Sequence, residues 1–283
     1  MTKNIGFVIV NYNDSDETIK LLDNIKDYKC INKIVIVDNN SSDDSFNILS
    51  KYKSKNIDVI KNTNRHYSAG LNLGAKHVVK DIGECNIFFS NSDIIIKSEE
   101  DIVRLSNDIK DDVVVVGPTI DEHGVINRGW KMPTVNHEIL NNLILVSRLF
   151  INHMKYDDSH YKKDTSIVDV VSGCFFIVDS KFLKEVDYFD ENTFLYYEEQ
   201  ILASKVKSKN KKELIDNKVT IIHNHSVTID KTIKRINKQK ILKNSQRYFC
   251  KNYLHANIMQ RALLQITDKI FLSTLYIRCF FKL

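Results

Sequence analysis

Asn4-Ile5-Gly6-Phe7-Val8-Ile9-Val10-Asn11-Tyr12-Asn13-Asp14 opens the chain with a short apolar run that does not alternate and then turns abruptly polar. Six residues (5–10) without alternation describe a strand buried on both faces, too short to be a buried helix. Behind the polar turn a helical pattern starts at Ser15 and carries Ile19, Leu22 and Ile25 on one face. The same sequence of strand, polar turn and helix then recurs. Residues 33–37 are apolar and β-branched, end in Asp38-Asn39-Asn40-Ser41-Ser42-Asp43-Asp44, and precede a helix through Phe46 and Leu49. A third strand is predicted over 56–60, a helix over 68–79 and a fourth strand over 86–90, ending in Asn91-Ser92-Asp93. Ser98-Glu99-Glu100-Asp101 has the pattern of a capping box, and 113–117 is a fifth strand. Such units build an α/β fold from parallel βαβ crossovers with helices on both faces. In such sheets ligands bind beyond the carboxyl ends of the strands, which here are unusually polar.

Working outward, 283 residues suffice for one large domain or two modest ones, and 43% hydrophobic against 27% charged residues excludes wholesale disorder. Eight glycines and two prolines exclude collagen-like and Pro-rich architectures. The start lacks the basic head and long apolar stretch of a signal peptide, and no window reaches the roughly 18 apolar residues of a spanning helix. The five cysteines are scattered without a CxxC pair, which disfavours a zinc site and points to a reducing, cytoplasmic setting. No G-x-G-x-x-G or Walker A loop follows the first strand, so an ordinary NAD enzyme or P-loop NTPase is disfavoured.

Beyond residue 120 the pattern loosens. Residues 121–135 read as a loop containing Trp130, which suits either sugar stacking or core packing. Residues 167–178 read as one long strand interrupted by Gly173, and 219–222 as a last strand ending in His223-Asn224-His225. From 230 onward the chain is helical and basic. Residues 205–251 hold 14 Lys/Arg against 3 Asp/Glu, leaving the remainder net acidic. That asymmetry suits an anionic partner or a solvated helical face.

Five segments, Val10-Asn11-Tyr12-Asn13, Val37 to Asp43, Asn64 to Gly74, Phe89-Ser90-Asn91-Ser92-Asp93, and Ser172-Gly173-Cys174-Phe175 through Phe189-Asp190-Glu191 to Glu198-Glu199, lie in the order and spacing of one family. Over residues 4–250 the chain resembles the family 2 glycosyltransferases, most nearly their rhamnosyltransferase-like branch of bacterial surface polysaccharide synthesis. The resemblance implies a GT-A fold over 1–230, with a nucleotide-binding half (1–120) and an acceptor half (121–230), and a helical, basic extension over 231–283. It implies inverting transfer of a sugar from a nucleotide-diphosphate donor, UDP or dTDP type, to a glycan or lipid-linked acceptor, with Mg²⁺ or Mn²⁺.

The residues fit that chemistry. Negative charge develops on the leaving diphosphate, and a divalent cation on oxygen ligands stabilises it. The Asp-x-Asp-like element reads Asn91-Ser92-Asp93, with Asp93 the stronger ligand and a turn of Asx type the alternative. One carboxylate must take the acceptor hydroxyl's proton, and the matching acidic pair is Glu198-Glu199. Glu199 is the expected base, one methylene longer than the Asp usual there, with Glu198 second; acids at a helix start also simply complement its dipole. Asp38 matches the position that contacts base or ribose, or else caps its loop, with Asn11 and Tyr12 lining the same pocket. Asn64, Tyr67, Gly70, Asn72 and Gly74 match a motif beside the diphosphate, in which His66 replaces a glycine. His223 and His225 would point to one side of their strand and reach the metal or diphosphate. The tail, with the basic segment before it, would lie on the inner face of a membrane, pack on the domain or form a dimer contact. The alternatives are a nucleotidyltransferase, which lacks its Gly-rich basic loop here, and a non-catalytic nucleic-acid-binding protein, for which no recognition motif is present. No nucleic-acid partner is expected.

Overall fold

The first half follows the sequence closely. The structure, a computed structural model, describes residues 3–64, 66–143, 154–224 and 235–281. It begins β1 (Asn4–Asn11), α1 (Ser15–Ile25), β2 (Lys33–Asp38), α2 (Ser45–Ser50), β3 (Ile57–Lys61), α3 (Tyr67–Ile82) and β4 (Cys85–Ser90). It continues with β5 (Ile94–Ile95), α4 (Glu99–Asn107), β6 (Val113–Glu122), β7 (Val125–Asn127), α5 (Val135–Asn141), β8 (Thr165–Val168), β9 (Phe175–Asp179), α6 (Ser180–Glu185), α7 (Glu198–Ser208), β10 (Lys212–His223), α8 (Arg235–Asn252) and α9 (Ile258–Phe281). The strands form one sheet in the order β3-β2-β1-β4-β9-β6-β10-β5, with β7 on β6 and β8 on β10.

Period-two alternation inside the apolar strands divides the core into two layers. Phe7, Ile9, Ile34, Ile36 and Phe88 face α1, α2 and α4, whereas Val8, Val10, Val35, Val37 and Phe89 face α3, α6 and α7. This is why the strands read as unbroken apolar runs: each face of the sheet is covered. Ser98 accepts from the Asp101 N–H at 3.3 Å and so caps α4 as its sequence predicts.

Three expectations change. β1 to β4 are parallel, but β9 inserts between β4 and β6 and runs antiparallel to both. The single strand expected over 167–178 is two strands, β8 on β10 and β9 on β4, separated by a turn at Gly173. Gly173 lies against the Glu199 carboxylate, 3.2 Å from where a Cβ would stand. The loop expected over 121–135 contains a tight hairpin, β6 to β7, whose two central residues, His123 and Gly124, both have positive φ. That geometry matches the right-handed twist of paired strands. Trp130 is half-buried and bridges to Val170. Cys30, Cys85, Cys174 and Cys250 are free thiols.

At the C-terminus, Phe249 of α8 packs on Tyr197 and Ile201, while Cys250 and Leu264 pack with Val135 of α5. The helical pair is therefore joined to the acidic-pair helix by apolar contact.

Candidate active site

The sheet collects its polar strand ends at one edge. Asn11 pairs in register with Asp38, and Ile9 with Ser90, so β1, β2 and β4 finish together. The antiparallel β9 begins at that level, with Phe175 opposite Ser90, and the Asn91 N–H donates to the Cys174 carbonyl at 2.9 Å. β6 and β10 end there too, at Glu122 and His223. The N-termini of α3 and α7 point to the same region through Tyr67 and Glu198-Glu199: burial first, and then the acidic groups of Glu198, Cys174, Glu199 and Asp93, push the Tyr67 phenol well up.

The clearest local constellation is Asp93–His223–Glu122. His223 Nε2 lies 3.2 Å from Asp93 Oδ1, and its Nδ1 lies 3.2 Å from Glu122 Oε1. Burial pulls the imidazole pKa down, but bonding to Asp93 and Cys174 outweighs it and raises it to about 11. This donor set fits a divalent cation. Neighbouring ligand atoms around an octahedral ion at about 2.1 Å stand about 3 Å apart, the separation Asp93 and His223 already have. As it stands the ring is an imidazolium between two carboxylates; a bound cation would have to displace the Nε2 proton while Glu122 keeps the one on Nδ1. Glu122 escapes the sequence reading because its strand was expected to stop at 117. Asn91 lies beside this group and accepts from the Tyr67 hydroxyl at 3.0 Å. His225 lies outside the described residues.

The acidic pair sits in an unusual backbone. Tyr196 and Tyr197 have φ of 75° and 73°, a left-handed conformation costly for bulky residues. Tyr197 is held there by its hydroxyl, 2.9 Å from Glu138 Oε2, by Gln246, which donates to the same oxygen at 2.6 Å, and by its ring on Phe249. Glu198 is 8% exposed, and its Oε1 has no hydrogen-bond partner among the described residues. Burial, and then the charge of Glu199, raise its pKa from 4.5 to about 8. Glu199 is half-buried against Gly173, and burial raises its pKa as well.

Other expected site residues are placed differently. Asp38 has no exposed surface: its Oδ2 accepts from Asn11 and its Oδ1 from the Ser41 N–H, both at 3.1 Å. It caps its loop, which is the alternative the sequence left open. Asn11 is equally buried and accepts from Thr18 at 2.9 Å, while Tyr12 is half-buried. Two residues expected beside the diphosphate have protein partners. Asn72 is buried and uses its whole amide on the 189–191 segment, exchanging hydrogen bonds with the Phe189 backbone, both at 2.9 Å, and donating to Glu191 at 2.8 Å. Gly70 faces the sheet, where a Cβ would meet Val10 at 3.2 Å and the Asn39 side chain at 3.3 Å. Both hold α3 in place because their partners are protein atoms. Asn64 is exposed and accepts from the His66 N–H at 3.0 Å. His66 itself bonds the Glu191 carbonyl at 2.7 Å and stands edge-on to Phe194, which accounts for the departure from glycine.

Metal-type ligands also gather at the opposite end of the sheet, in Asp58, His77 and Asp81. There Lys33 Nζ sits 2.7 and 3.0 Å from the two carboxylates, so an ammonium neutralises them and the group is an ion-pair network.

The structure is thus a mixed α/β sheet that gathers acidic side chains and capped polar loops at one edge. The family model of glycosyl transferase family 2 matches residues 7–187, more than half the chain, and the chain belongs to that family. The fold is GT-A. It is similar to the mannosyltransferase PcManGT from Pyrobaculum calidifontis in complex with GDP-Man and Mn²⁺ (TM-score 0.58, 13% identity, covering 97% of this chain and 75% of that one). It is also similar to GalNAc-T7 with UDP, GalNAc and Mn²⁺ (TM-score 0.61, 12% identity, covering 98% and 57%). S. aureus TarS 1–349 in complex with UDP aligns with TM-score 0.55 at 16% identity, covering 92% and 69%. No curated protein matches the sequence.

Proposed function

We propose that the chain is an inverting glycosyltransferase, hexosyl or rhamnosyl, that takes a nucleotide-diphosphate sugar of UDP or dTDP type and glycosylates a hydroxyl of a glycan or lipid-linked acceptor in surface polysaccharide synthesis. The observation that carries this reading is the Asp93–His223–Glu122 arrangement facing the same site as Tyr67 and the raised acidic pair. Family membership and neighbours that hold GDP-Man or UDP support the donor class. The five sequence motifs support the polysaccharide setting.

In this reading Asp93 and His223 hold Mg²⁺ or Mn²⁺, and Glu122 fixes the imidazole. The bound cation supplies charge neutralisation for the departing nucleoside diphosphate. Glu199 takes the proton of the acceptor hydroxyl as its oxygen bonds to the sugar's anomeric carbon and the bond to phosphate breaks on the opposite face. Glu199 is preferred over Glu198 because it is the more exposed of the two. Tyr12 and Asn91 line the donor pocket, with Asn11, Asp38, Asn72 and Gly70 acting through the loops they fix. The 1–120 half binds donor and the 121–230 half acceptor, with 231–283 as a helical extension.

Glu199→Gln tests the assignment: transfer should fall by about 10³-fold or more, with donor affinity within about twofold of wild type. Full activity, or loss of donor binding, would count against Glu199 as base.

A further inference from the structure

α9 is apolar on two sides, and only one of them is used. Its inner face carries Leu264, Thr267, Asp268 and Leu275, all buried, with Asp268 accepting from Asn142 at 2.7 Å and paired to Arg247. Its outer face carries Met259, Leu263, Ile266, Ile270 and Ile277, each between 44% and 73% exposed. Their spacing of four, three, four and seven residues draws one stripe along the helix. Isolated exposed apolar residues are ordinary, whereas a continuous stripe marks a surface that something covers.

The charge around the stripe selects what covers it. Residues 235–281 contain nine Lys/Arg and one acid, and that acid is the buried, paired Asp268. Lys269 is exposed within the face. Lys240 Nζ lies 5.7 Å from the ring of Tyr276, which is half-exposed at the margin of the stripe. A second copy docked through this face would bring two strongly cationic helix pairs together, and a bilayer with anionic headgroups would meet both the apolar and the cationic chemistry. Among the described residues no helix is long and apolar enough to cross a membrane, so the fit is in-plane.

We infer that α9 lies on an anionic lipid surface, with Met259, Leu263, Ile266, Ile270 and Ile277 inserted among the acyl chains and Lys240 and Lys269 at headgroup level. The sequence left the tail, with the basic segment before it, on a membrane, packed on the domain or in a dimer contact. Of these the membrane reading is the one that the outer face of α9 suits, and it rests on that face more than on the basic segment, where Lys205 and Lys243 are spent inside the protein. This inference is independent of the catalytic reading, because lipid binding needs neither donor nor acidic pair.

The test is co-sedimentation of the full chain with phosphatidylcholine vesicles with and without phosphatidylglycerol, beside sedimentation velocity of the chain alone. Binding to phosphatidylglycerol vesicles and a monomer in free solution are expected. Ile266→Asn/Ile270→Asn, at two exposed positions, should lower vesicle partitioning about tenfold or more with an unchanged circular-dichroism melt. Three results would overturn the inference: no binding to phosphatidylglycerol vesicles, equal binding by the double variant (adhesion through lysines alone), or a dimer in solution that the double variant dissolves.

Discussion

Glu198 stands at the first turn of α7, where free N–H groups and the helix dipole ordinarily favour a carboxylate. Burial and the adjacent Glu199 reverse that preference and lift its pKa from 4.5 to about 8. The sign of the consequence is set by linkage. Between these two values the folded state holds a proton that the unfolded state has released, so folding stability falls as pH rises from about 4.5 towards 8. Glu198→Gln removes this dependence. Its melting temperature should exceed wild type by a margin that widens from pH 5 to pH 8, corresponding to a few kcal/mol, on the order expected for a shift of this size. A margin that is absent or shrinks with pH would show that Glu198 ionises freely. For Glu199, whose pKa burial also raises, the base is lost at a higher pH than for a free glutamate. The acidic limb of the transfer rate should accordingly lie above the ordinary glutamate range of about 4.3. A limb at or below that value would assign proton transfer to another group.

α3 shows how an element can be legible while the contacts of its residues are not. Its position and length follow from the 3.6-residue pattern, yet Gly70, Asn72 and Gly74 look in sequence like a diphosphate-binding motif. The structure shows what else they do: they pack on the sheet and latch a neighbouring segment. A Cβ on Gly74 would lie 2.4 Å from Val8 Cγ1 and 3.1 Å from Val37, deep in the sheet. A β-carbon on Gly6 of β1 would likewise meet Val78 of α3 at 2.3 Å. The helix therefore lies unusually close to β1 and β2, and Asn72 latches the 189–191 segment that leads to the acidic pair. Gly74→Ala gains helix propensity of up to about 1 kcal/mol but must displace a fully buried valine, which costs about 1–3 kcal/mol. Net destabilisation of about 1–2 kcal/mol in urea unfolding is the expected outcome. A stabilised variant would mean that the sheet yields easily at Val8.

Across the whole molecule, what was legible is what repeats locally: buried strands, polar strand ends, helix starts, and the order of motifs on which family membership rests. What was not legible depends on long-range pairing. Nothing near Phe175–Asp179 announces that β9 inserts antiparallel between β4 and β6. Nothing near Glu122 announces that it will meet His223, 101 residues later, on the far strand of the pair. The left-handed Tyr196-Tyr197 backbone is likewise explained only by Glu138 and Gln246, contributed by α5 and α8. The functional edge is thus assembled from residues distant in sequence, and the most exposed claim about it concerns Asp93 and His223. Calorimetric titration with UDP, dTDP and their sugars, with and without Mn²⁺, in wild type, Asp93→Asn and His223→Ala, addresses that claim directly. The account predicts Mn²⁺-dependent binding of a UDP or dTDP donor, weakened about tenfold or more in each variant. Binding that ignores Mn²⁺ and survives both substitutions would contradict it.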